Sequence, residues 1–339
     1  MPNILSYSQI NKWEFCNQAW KYHYVDKFRP VKQPSYFLLG TALDRAIEII
    51  VTGKQGELTN KQIFDYHFTY QHINDVLTNT LEYPDMTYSE KDLDIELLTP
   101  EERASGINPY WLSLKYKGHY MIEAFEKNVL PKIKKVHATQ EKTKLDNAQG
   151  DSNIGYCDLI VDMEGYDNPV IIDIKTSARN YSEDSVRNSV QLAGYMHVLG
   201  PKYKTSLAGY IVFDKNINKN KVKTCIKCGH IATGSHKTCE KLDQFYDNRG
   251  VRDEIRCGGQ WNATVNPTCS VQIIIDTIPE VLEDIVIENM DAVNLQINSG
   301  IITRNLSHCI DDGFGRRCSY YKMCYLNDST GFIKKEITV

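Results

Sequence analysis

Asp173 and Lys175 stand two residues apart in the apolar run "PVIIDIKTS", Pro169 to Ser177. Alternate side chains of a strand point to opposite faces, so Val170, Ile172 and Ile174 share one side while Ile171, Asp173 and Lys175 share the other. Taking a carboxylate and an ammonium out of water is costly unless both are compensated, so this strand either ends in a surface ion pair or serves a site. Asp158 in "GYCDLIVD" bears on that choice. It opens the preceding strand, and hairpin pairing sets its side chain beside Asp173. Two carboxylates there raise one another's pKa unless Lys175 or a divalent cation compensates them. Mg²⁺ or Mn²⁺ takes oxygen ligands, and the carbonyl of Ile174 offers one more. Lys175 then lies near a metal-bound water, placed to orient it or to stabilise charge developing on a phosphate.

The elements around this strand follow from periodicity. Ser6 and Gln9, at capping-box spacing, open a helix carrying Ile10, Trp13 and Trp20. A second helix runs through "LLGTALDRAIEIIVTG", with Leu39, Leu43, Ala46, Ile47 and Ile50 on one side and Gly53 as its stop. Residues from about 54 to 108 are polar and acidic, and "YWLSLKYKGHYMIEAFEKNVL" forms a further helix that ends near Pro131. Three strands follow in "KVHATQEKTKL", "IGYCDLIVDME" and "PVIIDIKTS". The run "SEDSVRNSVQLAGYMHVL" reads as one helix capped by Ser182. Two more strands, "AGYIVFDK" and "VQIIIDTI", are separated by about fifty residues, and "PEVLEDIVIENMDAVNLQINSG" is a helix between Pro279 and Gly300. A loop of that size inside a compact domain needs something to structure it.

The chain has 339 residues, enough for one large domain with insertions or for two domains. Its formal net charge of −4 makes no case for a nucleic-acid partner. The charge is nevertheless uneven: Lys215 to Lys241 is strongly basic and Glu82 to Glu102 is acid-rich, so a local basic footprint is open. No apolar run is long enough to span a bilayer and the N-terminus has no secretory signal, which points to a cytoplasm and to no membrane partner. Ten cysteines in that compartment are metal ligands or core residues rather than disulfides.

Two cysteine sets have ligand spacing. Cys225 and Cys228 in "CIKCGH" form a knuckle turn, and Cys239 and Cys257 complete four thiolates for Zn²⁺, with His230 or His236 able to replace one. A zinc ion would let so polar an insertion fold without its own core, and its lysines either touch a DNA backbone or form a solvated structural clip. Cys309, Cys318 and Cys324 follow C-x8-C and C-x5-C spacing and leave a tetrahedral site one ligand short. His308 would complete a zinc site, with Cys16 a buried apolar residue. Cys157 and Cys269 read as core. The aromatic group Trp13, Trp20, Tyr22 and Tyr24 suits base stacking, or packing at helical spacing.

The ordered set resembles the PD-(D/E)XK nuclease superfamily, and within it the RecB-like exonuclease branch that includes the CRISPR-associated adaptation exonucleases and many phage nucleases. In that branch a helix with G-x-x-x-H precedes an aspartate on one strand, (D/E)-x-K on the next and Q-x-x-x-Y on a helix. Asp158, Asp173 and Lys175 match the core, and "QLAGY" supplies Gln191 and Tyr195. The first motif departs: "GTALDRAIE" has Asp44 where the family has histidine, with Glu48 one turn on as a substitute ligand. The resemblance implies an α/β, restriction-endonuclease-like mixed central sheet flanked by helices, with a zinc-ribbon-like insertion. It also implies a [4Fe–4S] staple in which Cys16 joins Cys309, Cys318 and Cys324.

The expected organisation is one nuclease domain over 1–339: a helical part (1–132), a core (133–221 and 270–300), a zinc-binding insertion (222–269) and an iron–sulfur segment (301–339). The implied activity is metal-dependent exonucleolytic hydrolysis of DNA in recombination, repair or phage DNA processing. It would take place in a bacterial or phage-infected cytoplasm, with room for a recombination or replication partner protein. The rival expectations are an inactive DNA-binding or assembly factor that keeps the fold, an endonuclease, and a redox sensor built on the cluster.

Overall fold

The computed structural model describes residues 4–31, 33–68, 86–146, 150–232, 237–246, 252–310 and 318–334. His236 and the first residues of the acidic run lie outside them. The central sheet has six strands: β1 (Ile4–Ser6), β2 (Ile133–Asp146), β3 (Ser152–Met163), β4 (Val170–Ser177), β5 (Leu207–Asp214) and β6 (Val271–Thr277). It is mixed. β2 runs antiparallel to β3, β3 to β4 and β5 to β6, while β1 lies parallel to β3 and β4 parallel to β5.

Strand β3 carries a fork. Along one edge it pairs with β2, whereas its other edge takes β1 at Ser152–Ile154 and β4 at Leu159–Val161. Between those two pairings its backbone is left to other partners.

Helices cover both faces. The helices α1 (Tyr7–Phe15), α2 (Ser35–Thr52), α3 (Asn60–Phe68), α4 (Pro109–Asn128), α5 (Val190–Tyr203) and α6 (Glu280–Asn298) divide between two cores. One joins α2, α3 and α4 to Val170, Ile172 and Ile174, and the other joins α1, α5 and α6 to Ile171, Ala208 and Tyr210. Because β4 is buried on both faces, its apolar residues form a continuous run instead of alternating with polar ones. Val170, Ile171 and Ile172 are all fully buried, each contributing about 1.5–3 kcal/mol of transfer free energy.

Two expected helices are broken. The first stops at Cys16, whose backbone is extended, because the Asn17 amide donates to the Trp13 carbonyl at 2.9 Å and Gln18 N–H to the Thr303 carbonyl at 3.0 Å. Ser6 does cap α1, accepting from Gln9 N–H, but the Gln9 amide turns to the Ile4 carbonyl instead of closing the box. The second break separates Glu183–Arg187 from α5 at Ser189, whose hydroxyl accepts from Leu192 N–H and bonds the Tyr210 hydroxyl at 2.5 Å. Tertiary partners outweigh helix propensity at both places.

The long connection from β5 to β6 prolongs their hairpin. Asn218–Cys225 pairs antiparallel with Trp261–Thr268 over its whole length, and the strands Leu242–Tyr246 and Arg252–Arg256 form a smaller ribbon. Trp13 and Trp20 are 2% and 7% exposed and meet edge to face at 4.9 Å, so they are packing residues. Among the described residues no helix is long and apolar enough to cross a membrane.

Candidate active site

The site forms where β3 parts from β4. One residue beyond the Leu159–Ile172 pair, the Asp158 side chain replaces the ladder: its Oδ2 accepts the Ile174 N–H at 2.7 Å. Asp173 follows on β4 with a side chain 3% exposed, its Oδ2 2.6 Å from the Lys175 ammonium. Helix α5 supplies the third side of this group. Gln191 accepts from Lys175 Nζ at 3.1 Å and donates to Asp173 Oδ1 at 2.9 Å and to the Tyr195 hydroxyl at 2.8 Å. That hydroxyl donates to the Tyr156 carbonyl at 2.6 Å, on the stretch of β3 between its pairings with β1 and β4. Four-residue spacing puts Gln191 and Tyr195 on one helical face, so one amide ties strand to helix. Gly155 admits the tyrosine: a Cβ there would lie 2.8 Å from Tyr195 Cε1 and 2.8 Å from Thr143 Oγ1.

Asp44, on α2, closes the group from the opposite core. Burial and then the Asp173 charge push its carboxyl up to about 7. Asp158 is pushed well above the carboxylate range by burial, Asp173 and Asp44, and burial also raises Asp173 against the pull of Lys175. Burial would lower Lys175, but Asp173 and Asp158 outweigh it and hold the ammonium above its ordinary range. Three carboxylates, Asp173 buried and Asp44 and Asp158 half-buried, around one ammonium leave an excess of negative charge on oxygen donors, which is the donor chemistry a hard divalent cation requires. Glu48 does not join them, since its carboxylate is taken by Arg45 at 2.9 Å.

One residue of this group had no signal in the sequence. Gln140 lies between the pairs Thr139–Leu159 and Glu141–Cys157 with φ +48°, and its amide donates to Asp158 Oδ1 at 3.2 Å. A left-handed glutamine inside a strand is uncommon, and nothing in "KVHATQEKTKL" marks the position.

The raised Asp44 value has a sign for stability. Between its ordinary value of 3.8 and about 7 the native state holds a proton that the unfolded chain has lost, so metal-free stability falls as pH rises across that window and levels off above it. Asp44→Asn removes the buried charge. At pH 8 and without metal the variant is expected to melt at least about 2 °C above the wild type. The expectation fails if it melts lower.

The insertion brings its four cysteines together, all ligand atoms of Cys225, Cys228, Cys239 and Cys257 lying within 4.8 Å. The pairs Cys225–Cys257 and Cys228–Cys239 are 3.6 Å apart. Ions bound by thiolates at about 2.3 Å set tetrahedral sulfurs about 3.8 Å apart, so the cage has single-ion dimensions. Burial would raise Cys225, yet backbone N–H groups of Cys228 and Lys227 directed at its sulfur bring it down to about 7. His230 is outside the cage and accepts the Cys225 N–H through its carbonyl at 2.8 Å.

At the chain ends Cys16, Cys309, Cys318 and Cys324 share one neighbourhood. Cys16 packs with Tyr320, Met323 and Cys318, and Cys318 N–H donates to the Cys309 carbonyl at 3.1 Å. Burial raises Cys318, helped by Cys16 and Cys309, and burial raises Cys324, helped by the same two. His308 stacks on Phe15 at 4.5 Å, its Nδ1 3.1 Å from the Phe15 carbonyl. All ten cysteines are free, Cys157 and Cys269 being buried in the two cores.

Fold and donor set together define a mixed α/β protein with an acidic, lysine-bearing site built at a forked sheet edge. The family model of the PD-(D/E)XK nuclease superfamily matches residues 4–274, and the chain belongs to that superfamily. Membership indicates a nuclease, implies DNA as its substrate, and brings with it the divalent metal ions these nucleases use. No curated protein matches the chain.

Proposed function

We propose that the protein is a Mg²⁺- or Mn²⁺-dependent deoxyribonuclease of the RecB-like exonuclease branch, acting on DNA ends in recombination, repair or phage DNA processing. The observation that carries this reading is the closed set of contacts from Asp158 through Ile174, Asp173, Lys175 and Gln191 to Tyr195, with Asp44 facing it. Asp158, Asp173 and the Ile174 carbonyl would hold the ion with help from Asp44, and the ion supplies Lewis-acid charge and an acidified water. Lys175, kept as an ammonium, donates to the attacking water or to the phosphate oxygen on which charge develops. Gln191 fixes the direction of that ammonium while leaving it one-third exposed toward substrate. Tyr195 anchors Gln191 to the fork.

The test is degradation of end-labelled linear and circular DNA, single- and double-stranded, by anaerobically purified protein with Mg²⁺ or Mn²⁺. Loss of linear DNA with circles intact supports the exonuclease. Cleavage of circles makes it an endonuclease, and no cleavage of any substrate leaves a DNA-binding factor. The working place implied by this reading is a bacterial or phage-infected cytoplasm.

The insertion, in the same reading, is a zinc-ribbon-like module with Zn²⁺ on Cys225, Cys228, Cys239 and Cys257. Cys16, Cys309, Cys318 and Cys324 carry a [4Fe–4S] cluster, whose cube sets its four thiolates farther apart than one ion does. Gly259 gives the zinc proposal a local test. A Cβ on it would meet Cys225 Sγ at 2.5 Å and Lys227 Cβ at 2.8 Å. Overpacking of this kind costs roughly 1–3 kcal/mol, so Gly259→Ala is expected to bind zinc about ten- to a hundredfold more weakly. Zinc titration against a chromogenic chelator measures it, and wild-type affinity in the variant contradicts the cage.

A further inference from the structure

We propose that Tyr36 and Phe37, in the first turn of α2, form a stacking platform for unpaired bases beside the scissile phosphate, so that DNA reaches the acids as a single strand. The inference rests on the reading of this site as a DNA nuclease and adds which form of DNA it accepts. The two rings lie 4.6 Å apart at an interplanar angle of 35°, and they are 38% and 56% exposed, unlike the buried tryptophans of the N-terminal segment. Phe37 and Asp44 are two turns apart on one face of α2, about 10 Å along its axis. Gly40 lies between them, with nothing within 4 Å of where its Cβ would be. The helix therefore presents an unobstructed track from an aromatic pair to an acid of the site.

Lys215 connects the same two places from the other wall. Its ammonium lies 5.4 Å from the centre of the Tyr36 ring, and its N–H donates at 2.8 Å to the carbonyl of Ser177, two residues beyond Lys175. A cation held over an aromatic face at the end of the site strand suits a phosphate on one side and a base on the other. A cleft of about 700 Å³ opens on the Tyr36 side of the pair, lined by Ser35, Tyr36, Leu39, Ala178, Lys215 and Asn216 among others, while Phe37 and the acids lie outside its lining. That is the size of a drug-like ligand site, with room for about one or two nucleotides of unpaired strand against Tyr36. In an acidic chain, strand binding has to come from such local cations and stacking faces, because the net charge opposes it.

The experiment uses the full-length protein in Ca²⁺ instead of Mg²⁺, with oligonucleotides carrying a fluorescent adenine analogue at successive positions from each end. Wild-type protein is expected to quench the analogue at one or two adjacent positions. The double variant Tyr36→Ala, Phe37→Ala is expected to lose that quenching and to bind single strands about ten- to a hundredfold more weakly, with blunt-duplex affinity and melting temperature unchanged. Phe37→Trp alone should retain quenching. Undiminished quenching and affinity in the double variant, or an equal loss for single strands and duplex, overturns the platform. Cleavage in Mg²⁺ is read separately: a wild type that quenches and cuts nothing contradicts the nuclease reading alone, whereas one that cuts without quenching contradicts the platform alone.

Discussion

Lys175→Ala is expected to lower the rate of DNA cleavage by about a thousandfold while DNA affinity stays within a few-fold of wild type. Two contacts fix the ammonium among the three carboxylates of the site, Asp173 Oδ2 at 2.6 Å and the Gln191 amide oxygen at 3.1 Å. In the proposed mechanism its loss removes the donor to the reacting phosphate without touching the cleft walls. A second effect accompanies the first. With the counter-charge gone, Asp173 and Asp158 are left to repel one another in a buried setting, so the metal-free variant melts lower than wild type and regains more on adding Mg²⁺. Gln191→Ala should cost less in rate, because the ammonium keeps Asp173 and loses only its second contact. Single-turnover cleavage beside anisotropy binding measures both. A Lys175→Ala protein that cuts at the wild-type rate places the chemistry elsewhere.

The largest stability effect is expected for Cys16→Ser. If one cluster ties Cys16 to Cys309, Cys318 and Cys324, it closes a loop of nearly the whole chain, and releasing such a closure costs about 5 kcal/mol of unfolded-state entropy. A change of that size lowers the melting temperature of a 339-residue chain by about 7 °C. The same variant should lose its iron and the visible absorption of the cluster, while zinc in the insertion is retained. A tail that binds zinc through His308 predicts otherwise: no iron in the wild type, and tail metal unaffected by Cys16→Ser. The stacking of His308 on Phe15, with Nδ1 turned to a backbone carbonyl, already occupies one face and one nitrogen of that ring.

Some of this architecture was legible because it follows from strict periods. Alternation along "PVIIDIKTS" is enough to send Asp173 and Lys175 to one face, and antiparallel pairing is enough to bring Asp158 beside them. Gln191 and Tyr195 converge because four residues make one helical turn. What escaped the reading depends on partners far away in the chain. The stop at Cys16 is set by Thr303, the stop at Ser189 by Tyr210, and neither partner is visible from local propensity. Gln140 escaped because its φ of +48° sits on a residue type that does not advertise a left-handed backbone. Tyr36 and Phe37 escaped because exposure, which separates them from Trp13 and Trp20, is a property of the packed molecule. The long connection between β5 and β6 raised the right question, and its answer is that the hairpin simply continues, with Asn218 opposite Thr268.

The short ribbon formed by Phe28–Pro30 and Phe332–Lys334 joins segments near the two ends of the chain. Its consequence lies in the order of synthesis. On the ribosome the first of these strands waits for a partner about 300 residues downstream, which at 5–20 residues per second is roughly 15–60 s. During that interval β1 can already dock on Ser152–Ile154 and the acids of the site can assemble, since all of them precede residue 215. A nascent chain would thus hold its cutting centre before the belt around it is fastened, and a message broken upstream of Phe332 would release that centre unbelted.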